Sequence, residues 1–396
     1  MEYLFDGYSL DLKRVELRRG GESIAVEPQV FEVLAYLIRN RDRVIGNDEL
    51  LDEVWGRREV SPSTLASRIN AARAAIGDSG AAQKLIRTLP RRGYRFVGEV
   101  VMREAGAPAL AATHAVGGPQ QRVSFCTTHD KVRLAYATVG EGPPVVKAGN
   151  WLNHIEHDWD SPVWSHLLRW LAGGRRLVRY DARGNGLSDW NVPEISFDAF
   201  VSDLEAVIDA AGLERFALFG ASQGCAFSIA YAVKFPERVS RLVLYGGFAR
   251  GRRLRGGPDD IEQAEAMVTL MRTGWGQANP AFRQVFTSLF VPGGTHEQME
   301  WFNELQRKTT SPDNAVRLRL VSDYMNVAEL LPQVRVPTLV LHCRDDAVQP
   351  FEEGRFLAAN IPHALFVGLE GKNHLFLEDD PCWPKFQHEV GAFLAE

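Results

Sequence analysis

The stretch FALFGASQGCAFSIAYA, Phe216 to Ala232, limits what this chain can fold into more than any other. Phe216-Ala217-Leu218-Phe219 is an unbroken apolar run, the pattern of a strand buried on both faces of a parallel sheet. It runs into Gly220-Ala221-Ser222-Gln223-Gly224 and then into small, apolar, helix-forming residues. Strand, G-x-S-x-G, helix is the context in which a serine is lifted off a sheet on a sharp turn. Side chains around such a turn must be small, which accounts for Gly220 and Gly224. The turn aims the Gln223 N–H at a helix N-terminus, where negative charge is stabilised. The plain alternative is a Gly-rich turn that only packs closely, and partners found downstream weigh against it.

At 396 residues the chain has material for two domains and a large core. Its 45% hydrophobic and 24% charged content is that of an ordinary globular protein. A net charge of −5 gives no global attraction to nucleic acid, so DNA binding would need a local basic face. Cys126, Cys225, Cys343 and Cys382 lie far apart without metal-ligand spacing, which fits reduced thiols better than a disulfide framework. No signal peptide opens the chain, and no apolar run approaches the ~20 residues of a membrane helix. The expected location is the cytoplasm, with no membrane partner, no metal and no cofactor.

The first hundred residues open with short strand-like pieces: Tyr3–Phe5, Tyr8–Leu12, Val15–Leu17 and Ser23–Val26, with Gly20-Gly21 as a hairpin turn. Glu27 to Arg39 has a helical period through Val30, Leu34, Leu37 and Ile38. A second helix is expected over Asp48 to Trp55 with Asn47 as its cap. A third starts at Ser61-Pro62, carries the core stripe Leu65, Ile69, Ala72 and Ile76, and stops at Gly77. Opposite that stripe lie Ser63, Ser67 and Asn70, flanked by Arg68 and Arg73. Such a face is small, lacks acids and is edged by guanidinium groups, which suits the DNA major groove. Leu85 to Phe96 then reads as a hairpin crowded with Arg87, Arg91, Arg92 and Arg95, with Tyr94 able to pack or touch sugar. A solvated arginine cluster on a small α+β domain is the bland alternative.

Three segments carry a resemblance here: EPQVFEVLAYLIRNRDRVIGNDELLDEVWG (27–56), VSPSTLASRINAARAAIGD (60–78) and IRTLPRRGYRFVGEV (86–100). Together they resemble the winged-helix effector domain of OmpR/PhoB-type response regulators and of ToxR- and CadC-like activators. The resemblance implies double-stranded DNA as a partner, with Ser63, Ser67, Arg68, Asn70, Arg73, Arg91, Arg92 and Tyr94 as the contact residues, and it allows a homodimer. No receiver domain precedes the segment and no membrane helix follows it, so the expected input is neither phosphorylation nor a periplasmic signal. Val101 to Gln121, rich in Ala, Gly and Pro, reads as a linker.

From Arg122 the pattern alternates strand and helix, the signature of a doubly wound, mostly parallel sheet with ligand at the strands' C-terminal ends. YDARGNGLSD (180–189), FGASQGC (219–225), HCRDDAVQP (342–350) and GKNHLFLEDDP (371–381) resemble the α/β-hydrolase superfamily over Arg122 to Glu396. The implied fold class is two domains: an α+β winged helix-turn-helix over residues 1–100, then an α/β-hydrolase domain over 122–396 with a helical cap at about 248–336. Imidazole alone is readily both base and acid near neutral pH. The superfamily places its base where His374 stands. Asp345 and Asp346 compete for the orienting acid, and superfamily spacing selects Asp346. The order Ser222, Asp346, His374 is the superfamily order. One oxyanion donor is the Gln223 N–H. The second falls on Asn150 or Trp151, because the usual His-Gly is replaced by Ala148-Gly149-Asn150-Trp151. His154 and His157 stand at i,i+3 and are read as loop hydrogen-bonding groups, not metal ligands. Aromatic stripes between Phe248 and Pro337 fit a cap over an apolar small molecule.

The two halves point to a one-component regulator whose hydrolase-like domain binds, and cleaves, an ester, lactone or related acyl compound. A receptor without turnover is the second possibility. The third is a hydrolase whose N-terminal module contacts proteins.

Overall fold

The computed structural model describes residues 2–12, 16–19, 22–24, 26–55, 62–80, 82–89, 92–98, 100–103, 121–277 and 279–395. The chain divides into two compact units, residues 1–115 and 116–396.

The first unit begins with four antiparallel strands, β1 (Glu2–Phe5), β2 (Tyr8–Asp11), β3 (Glu16–Arg19) and β4 (Glu22–Ile24). Three helices follow, α1 (Pro28–Arg39), α2 (Asn47–Trp55) and α3 (Pro62–Ala75), then the hairpin β5 (Ile86–Leu89) and β6 (Gly93–Phe96). The expected stripes close this core: Val30, Leu34, Leu37 and Ile38 of α1 and Leu65, Ile69 and Ala72 of α3, with Ile76 just beyond it, are all buried. Two boundaries differ from expectation. Asn47 is the first residue of α2 rather than its cap, because Gly46 O already accepts the first bond, from Leu50 N–H at 3.0 Å. Val101–Arg103, read as linker, is strand β7, which pairs antiparallel with β1 and completes the sheet β4-β3-β2-β1-β7. The Gly20-Gly21 turn, the Ser61 cap and residues 104–120 of the linker lie outside the described residues.

The second unit is an eight-stranded sheet. It is built from β8 (Arg122–Thr127), β9 (Arg133–Val139), β10 (Pro144–Lys147), β11 (Arg176–Tyr180), β12 (Phe216–Ala221), β13 (Val239–Tyr245), β14 (Thr338–Cys343) and β15 (Leu365–Leu369). Between β10 and β13 come helices α4 (Ile155–Trp159), α5 (Ser165–Ala172), α6 (Phe197–Ala210) and α7 (Gly224–Lys234). The order is β15-β14-β13-β12-β10-β11-β9-β8, with β8 and β9 antiparallel and the rest parallel. Every residue of β12 is buried, as its apolar run requires. The chain steps outward in opposite directions from β10 and β12. Their C-terminal loops therefore diverge and open a crevice between them, the switch point where such sheets place ligands.

After β13 the chain leaves the sheet for helices α8 (Arg252–Arg255), α9 (Pro258–Gly274), α10 (Ala281–Phe290), α11 (His296–Thr309) and α12 (Pro312–Tyr324). It returns through β14, α13 (Phe351–Asn360), β15 and α14 (Trp383–Ala395). The run Arg250–Arg255 is tied to the protein: Arg253 lies near Asp323, Arg250 reaches Glu353, and Arg255 lies over the Phe248 ring. Among the described residues no helix is long and apolar enough to cross a membrane.

The YDARGNGLSD segment is held by charge. Arg183, fully buried, donates Nη2 to Asp203 Oδ1 at 2.7 Å and Nη1 to Asp130 Oδ2 at 2.7 Å. Asp203 of α6 is equally buried, so removing the guanidinium strands a carboxylate. Arg183→Met is expected to lower stability by about 3–5 kcal/mol. Denaturant unfolding would measure it, and a loss under about 1 kcal/mol would contradict this role.

Candidate active site and nucleic-acid face

Ser222 sits between β12 and α7 at φ 53°, a left-handed conformation that costs a serine energy and persists only where packing enforces it. Its N–H donates to Tyr245 O at 2.9 Å, fixing the turn to the end of β13. A Cβ at Gly220 would lie 2.8 Å from Ser228 Oγ and 2.9 Å from the Cys225 Cα. One at Gly224 would lie 2.7 Å from Gly149 O, so the elbow is pressed against the loop after β10. Cys225 is a packing residue, with Sγ 3.3 Å from Gly220 O.

His374 follows β15 and is anchored by its N–H to Phe290 O at 2.9 Å. Its Nδ1 meets Asp346 Oδ2 at 2.6 Å, both groups buried. Asp346 Oδ1 accepts from Val348 N–H at 2.8 Å and Gln349 N–H at 3.0 Å. Burial pushes this carboxyl upward, but the neighbouring His374, His342 and backbone N–H groups outweigh it and hold it below its usual range. An ionised acid makes Nδ1 the donor, which leaves Nε2 able to accept a proton. Nε2 is buried and has no hydrogen-bond partner among the described residues. Asp345 is exposed, with its N–H on Gly371 O, and does not reach the imidazole.

Ser222 and His374 flank the same corner of β13. The serine N–H bonds Tyr245 O, and a Cβ built on Gly246 would lie 3.3 Å from His374 Cε1. No hydrogen bond links the Ser222 hydroxyl to Nε2 among the described residues. The structure therefore joins acid to base and brings the serine to the same corner without closing the last contact.

The backbone N–H groups of Gln223, Asn150 and Trp151 donate to no acceptor among the described residues. The loop that carries the last two is tied to the elbow strand by Ala148 N–H to Phe219 O at 2.9 Å. The Asn150 side chain is held by Lys147 Nζ at 2.5 Å. Lys147 was not singled out from the sequence; its one signal is a cation at the end of the otherwise apolar run Pro144–Val146. The Trp151 ring packs on Trp275 (5.8 Å), Phe286 (5.8 Å) and Phe290 (5.4 Å), and Phe290 meets His374 edge-on at 5.3 Å. Cap helix α10 thus supplies an aromatic wall beside the imidazole. His154 caps α4, accepting from His157 N–H at 3.3 Å, and His157 stacks on Trp301 at 4.8 Å. Among the described residues no three His, Cys, Asp or Glu side chains gather where they could hold a metal.

On α3, Ser67 and Asn70 are exposed. Ser63 lies on the helix, but its side chain is outside the described residues, as is all of Arg91. Arg68 is paired with Glu27. Arg92 is exposed at the hairpin tip, and Tyr94 is half-buried, its backbone bridged to Ile45. Arg73 requires a correction. It is 4% exposed and donates Nη2 to Ile86 O at 2.9 Å and to Thr88 Oγ1 at 2.8 Å, so it fastens α3 to β5 and does not edge a groove. Helical spacing put it on the flank, but the hairpin folds over that flank.

A mostly parallel sheet with a serine elbow after β12, an acid after β14 and a histidine after β15 defines the α/β-hydrolase architecture. The family model described as alpha/beta hydrolase fold matches residues 152–381, more than half of the chain, and the chain belongs to that family. A second model, described as "Transcriptional regulatory protein, C terminal", matches residues 21–96, the winged-helix segment. Among curated relatives, the AB hydrolase superfamily protein YisY of Bacillus subtilis is 26% identical, covering 63% of this chain and 91% of its own. The 3-oxoadipate enol-lactonase 2 of Acinetobacter baylyi is 24% identical over 67% of this chain and 95% of its own. An esterase structure from Exiguobacterium antarcticum superposes with TM-score 0.59 at 22% identity, covering 69% of this chain and 99% of that one, a likeness of fold.

Arg73→Ala leaves Ile86 O and Thr88 Oγ1 without their buried donor, at a cost of roughly 1–3 kcal/mol. Amide exchange over 85–89 should speed up in that variant and stay unchanged in Arg92→Ala. Equal protection in both would return Arg73 to the surface.

Proposed function

We propose that this chain is a cytoplasmic one-component transcriptional regulator. Its winged helix binds double-stranded DNA, and its α/β-hydrolase domain binds and hydrolyses a small acyl compound, an ester or lactone. The hydrolytic half rests on one observation, the buried His374–Asp346 pair with Nε2 left free beside the elbow. In the proposed cycle the Ser222 hydroxyl attacks the acyl carbon while Nε2 takes its proton. Asp346 holds the imidazolium through Nδ1–H. Charge gathers on the carbonyl oxygen, where Gln223 N–H and the N–H of Asn150 or Trp151 stabilise it. Nε2 returns the proton to the leaving oxygen, and water repeats the sequence to free the acid. Relatives named as esterases, an enol-lactonase and a carbamate hydrolase support oxygen- or nitrogen-acyl substrates.

The DNA half is supported by the winged-helix match and by local charge. Between Val60 and Gly98 the one acid is Asp78. Its carboxylate is consumed by N–H groups of Ser79, Lys84, Leu85 and Ile86 at 2.7–3.0 Å. The arginines there meet no exposed acid of their own segment.

A second reading, a receptor with a retained pocket, is favoured by the open Ser222–His374 contact. Apo sites often tighten only with substrate bound, so that geometry does not exclude catalysis.

Turnover of p-nitrophenyl butyrate is the test. Ser222→Ala should remove at least a thousandfold of kcat, and Asp346→Asn about ten-thousandfold through the wrong tautomer. Absent turnover in the unaltered protein, with ligand-dependent DNA binding intact, would establish the receptor instead. In gel-shift titrations on its own upstream DNA, Arg92→Ala should weaken binding and lower the salt slope by about one. An unchanged slope would take the hairpin tip off the DNA.

A further inference from the structure

Lys147 is a buried cation in the middle of a sheet. It ends β10, directly before the loop that offers the second oxyanion donor, and it is 6% exposed. Its Nζ donates to Asn150 Oδ1 at 2.5 Å and lies 4.8 Å above the Trp164 ring. In register beside it on β11 stands a second buried cation, Arg179, and on the other side Phe219 of β12. The facing carboxyl groups are Asp158 of α4 and Asp181 at the end of β11, both buried. Arg179 Nη1 lies 3.9 Å from Asp158 Oδ2. Asp181 is occupied by the N–H groups of Ile155 and Leu187 and by Asn153 Nδ2 at 2.8–2.9 Å. Asn150 Oδ1 is therefore the hydrogen-bond acceptor of the Lys147 ammonium among the described residues.

Folding a charged lysine into a core strand is costly, and an apolar residue would pack there more cheaply. The cost is rational if the ammonium has work at the neighbouring loop. We propose that Lys147 is a positioning residue for the oxyanion hole, fixing through Asn150 the loop whose backbone N–H completes the hole and setting a positive charge close to the developing oxyanion. This rests on the serine-hydrolase reading. Among the described residues, Ala148 N–H on Phe219 O ties the loop through the backbone, and the Asn150 side chain ties it through Lys147 Nζ and, more weakly, through Nδ2 on Leu152 O at 3.5 Å. The Lys147 bond alone is charge-assisted, the stronger kind, and that assistance is lost when the ammonium loses its proton.

Burial pushes the Lys147 amine down to about 8, with Asp158 and Asp181 pulling upward and Arg179 pressing downward. Burial also raises Asp158 to about 6, and lifts Asp181 well above the carboxylate range. The sign of the effect follows. Below pH 8 the ammonium is charged and the loop is held; as pH rises through about 8 the charge and the strong bond are lost. Stability moves oppositely: between that value and the lysine's ordinary 10.5 the unfolded chain binds more protons, so the fold gains stability as pH rises.

The experiment compares the full chain with Lys147→Met, which keeps the stem and drops the charge, and with Asn150→Ala, which removes the acceptor and keeps the backbone N–H. With p-nitrophenyl butyrate at pH 7, each should lose at least tenfold in kcat with KM within about twofold, short of the 10²–10³ for removing a donor outright. The double variant should lose no more than either single one. The alkaline limb near pH 8 should be present in the unaltered protein and absent in Lys147→Met, while Tm at pH 7 is not lowered. Unchanged kcat, additive losses, or lost kcat accompanied by lower Tm and an intact alkaline limb would each overturn the proposal. Amide exchange over 148–151 reads the loop without turnover. It should quicken in both variants, and unchanged exchange overturns the proposal even if no substrate is cleaved. Failure of the hydrolase reading is seen separately, as turnover that does not depend on Ser222.

Discussion

The left-handed backbone at Ser222 is the constraint from which the rest of the hydrolase unit follows. A serine at φ 53° is held there by a buried strand behind it, a helix in front and the Tyr245 carbonyl beside it. Each neighbour must come close, and each does so by giving up a side chain or an alternative bond. Gly224 leaves room for Gly149 O, so the turn and the loop after β10 share one van der Waals surface. The Gly149–Trp151 loop and Ser222 are for this reason one packed unit. Among the described residues His374 meets it at the β13 corner. Strain at the serine and looseness at its contact with His374 are compatible: packing fixes the backbone, while the final hydrogen bond belongs to a side-chain torsion.

Buried charge is handled in two ways in the same sheet. Arg183 and Asp203 pair directly, with forked geometry and a further acid at the rim, and they lock the segment after β11. Lys147, Arg179, Asp158 and Asp181 are looser: the nearest cation–anion contact among them is 3.9 Å, and the remaining partners are backbone groups, amides and an aromatic face. A direct pair mainly specifies structure. A loose cluster leaves each group's charge sensitive to its surroundings, which is the condition for functional tuning.

Much of this was legible in the sequence because local rules and tertiary demand agree there. The Phe216–Ala232 elbow, the helical stripes of α1 and α3 and the alternation of strand and helix after Arg122 all follow from period, caps and glycine placement. Asp346 was separable from Asp345 only through superfamily spacing; burial and the bond to His374 supply the physical reason. Arg73 was misplaced because helical spacing says which face a residue occupies, not what folds over that face. Val101–Arg103 reads as linker in sequence because three residues at the edge of an Ala-rich tract carry no pattern until β1 offers them a partner. Lys147 was invisible for a similar reason. A cation ending a strand ordinarily reads as the point where the chain reaches water, and only the three-dimensional neighbourhood shows that it does not.

The winged-helix unit solves a different electrostatic problem. On the proposed reading, a chain of net charge −5 has to present a phosphate-compatible surface. It does so by keeping acids out of the α3–hairpin segment and spending the single one, Asp78, on four backbone N–H groups. Burial works to raise that carboxyl, yet those bonds hold it below its usual range, so the charge stays, internally neutralised by donors that would otherwise be unmet. One guanidinium, Arg73, is likewise turned inward to brace the hairpin. What is left facing out includes Ser67 and Asn70 on α3 and Arg87, Arg92 and Arg95 on the hairpin. With the acid consumed inside and three guanidinium groups outside, the hairpin carries local positive charge that the net charge of the whole chain does not reveal.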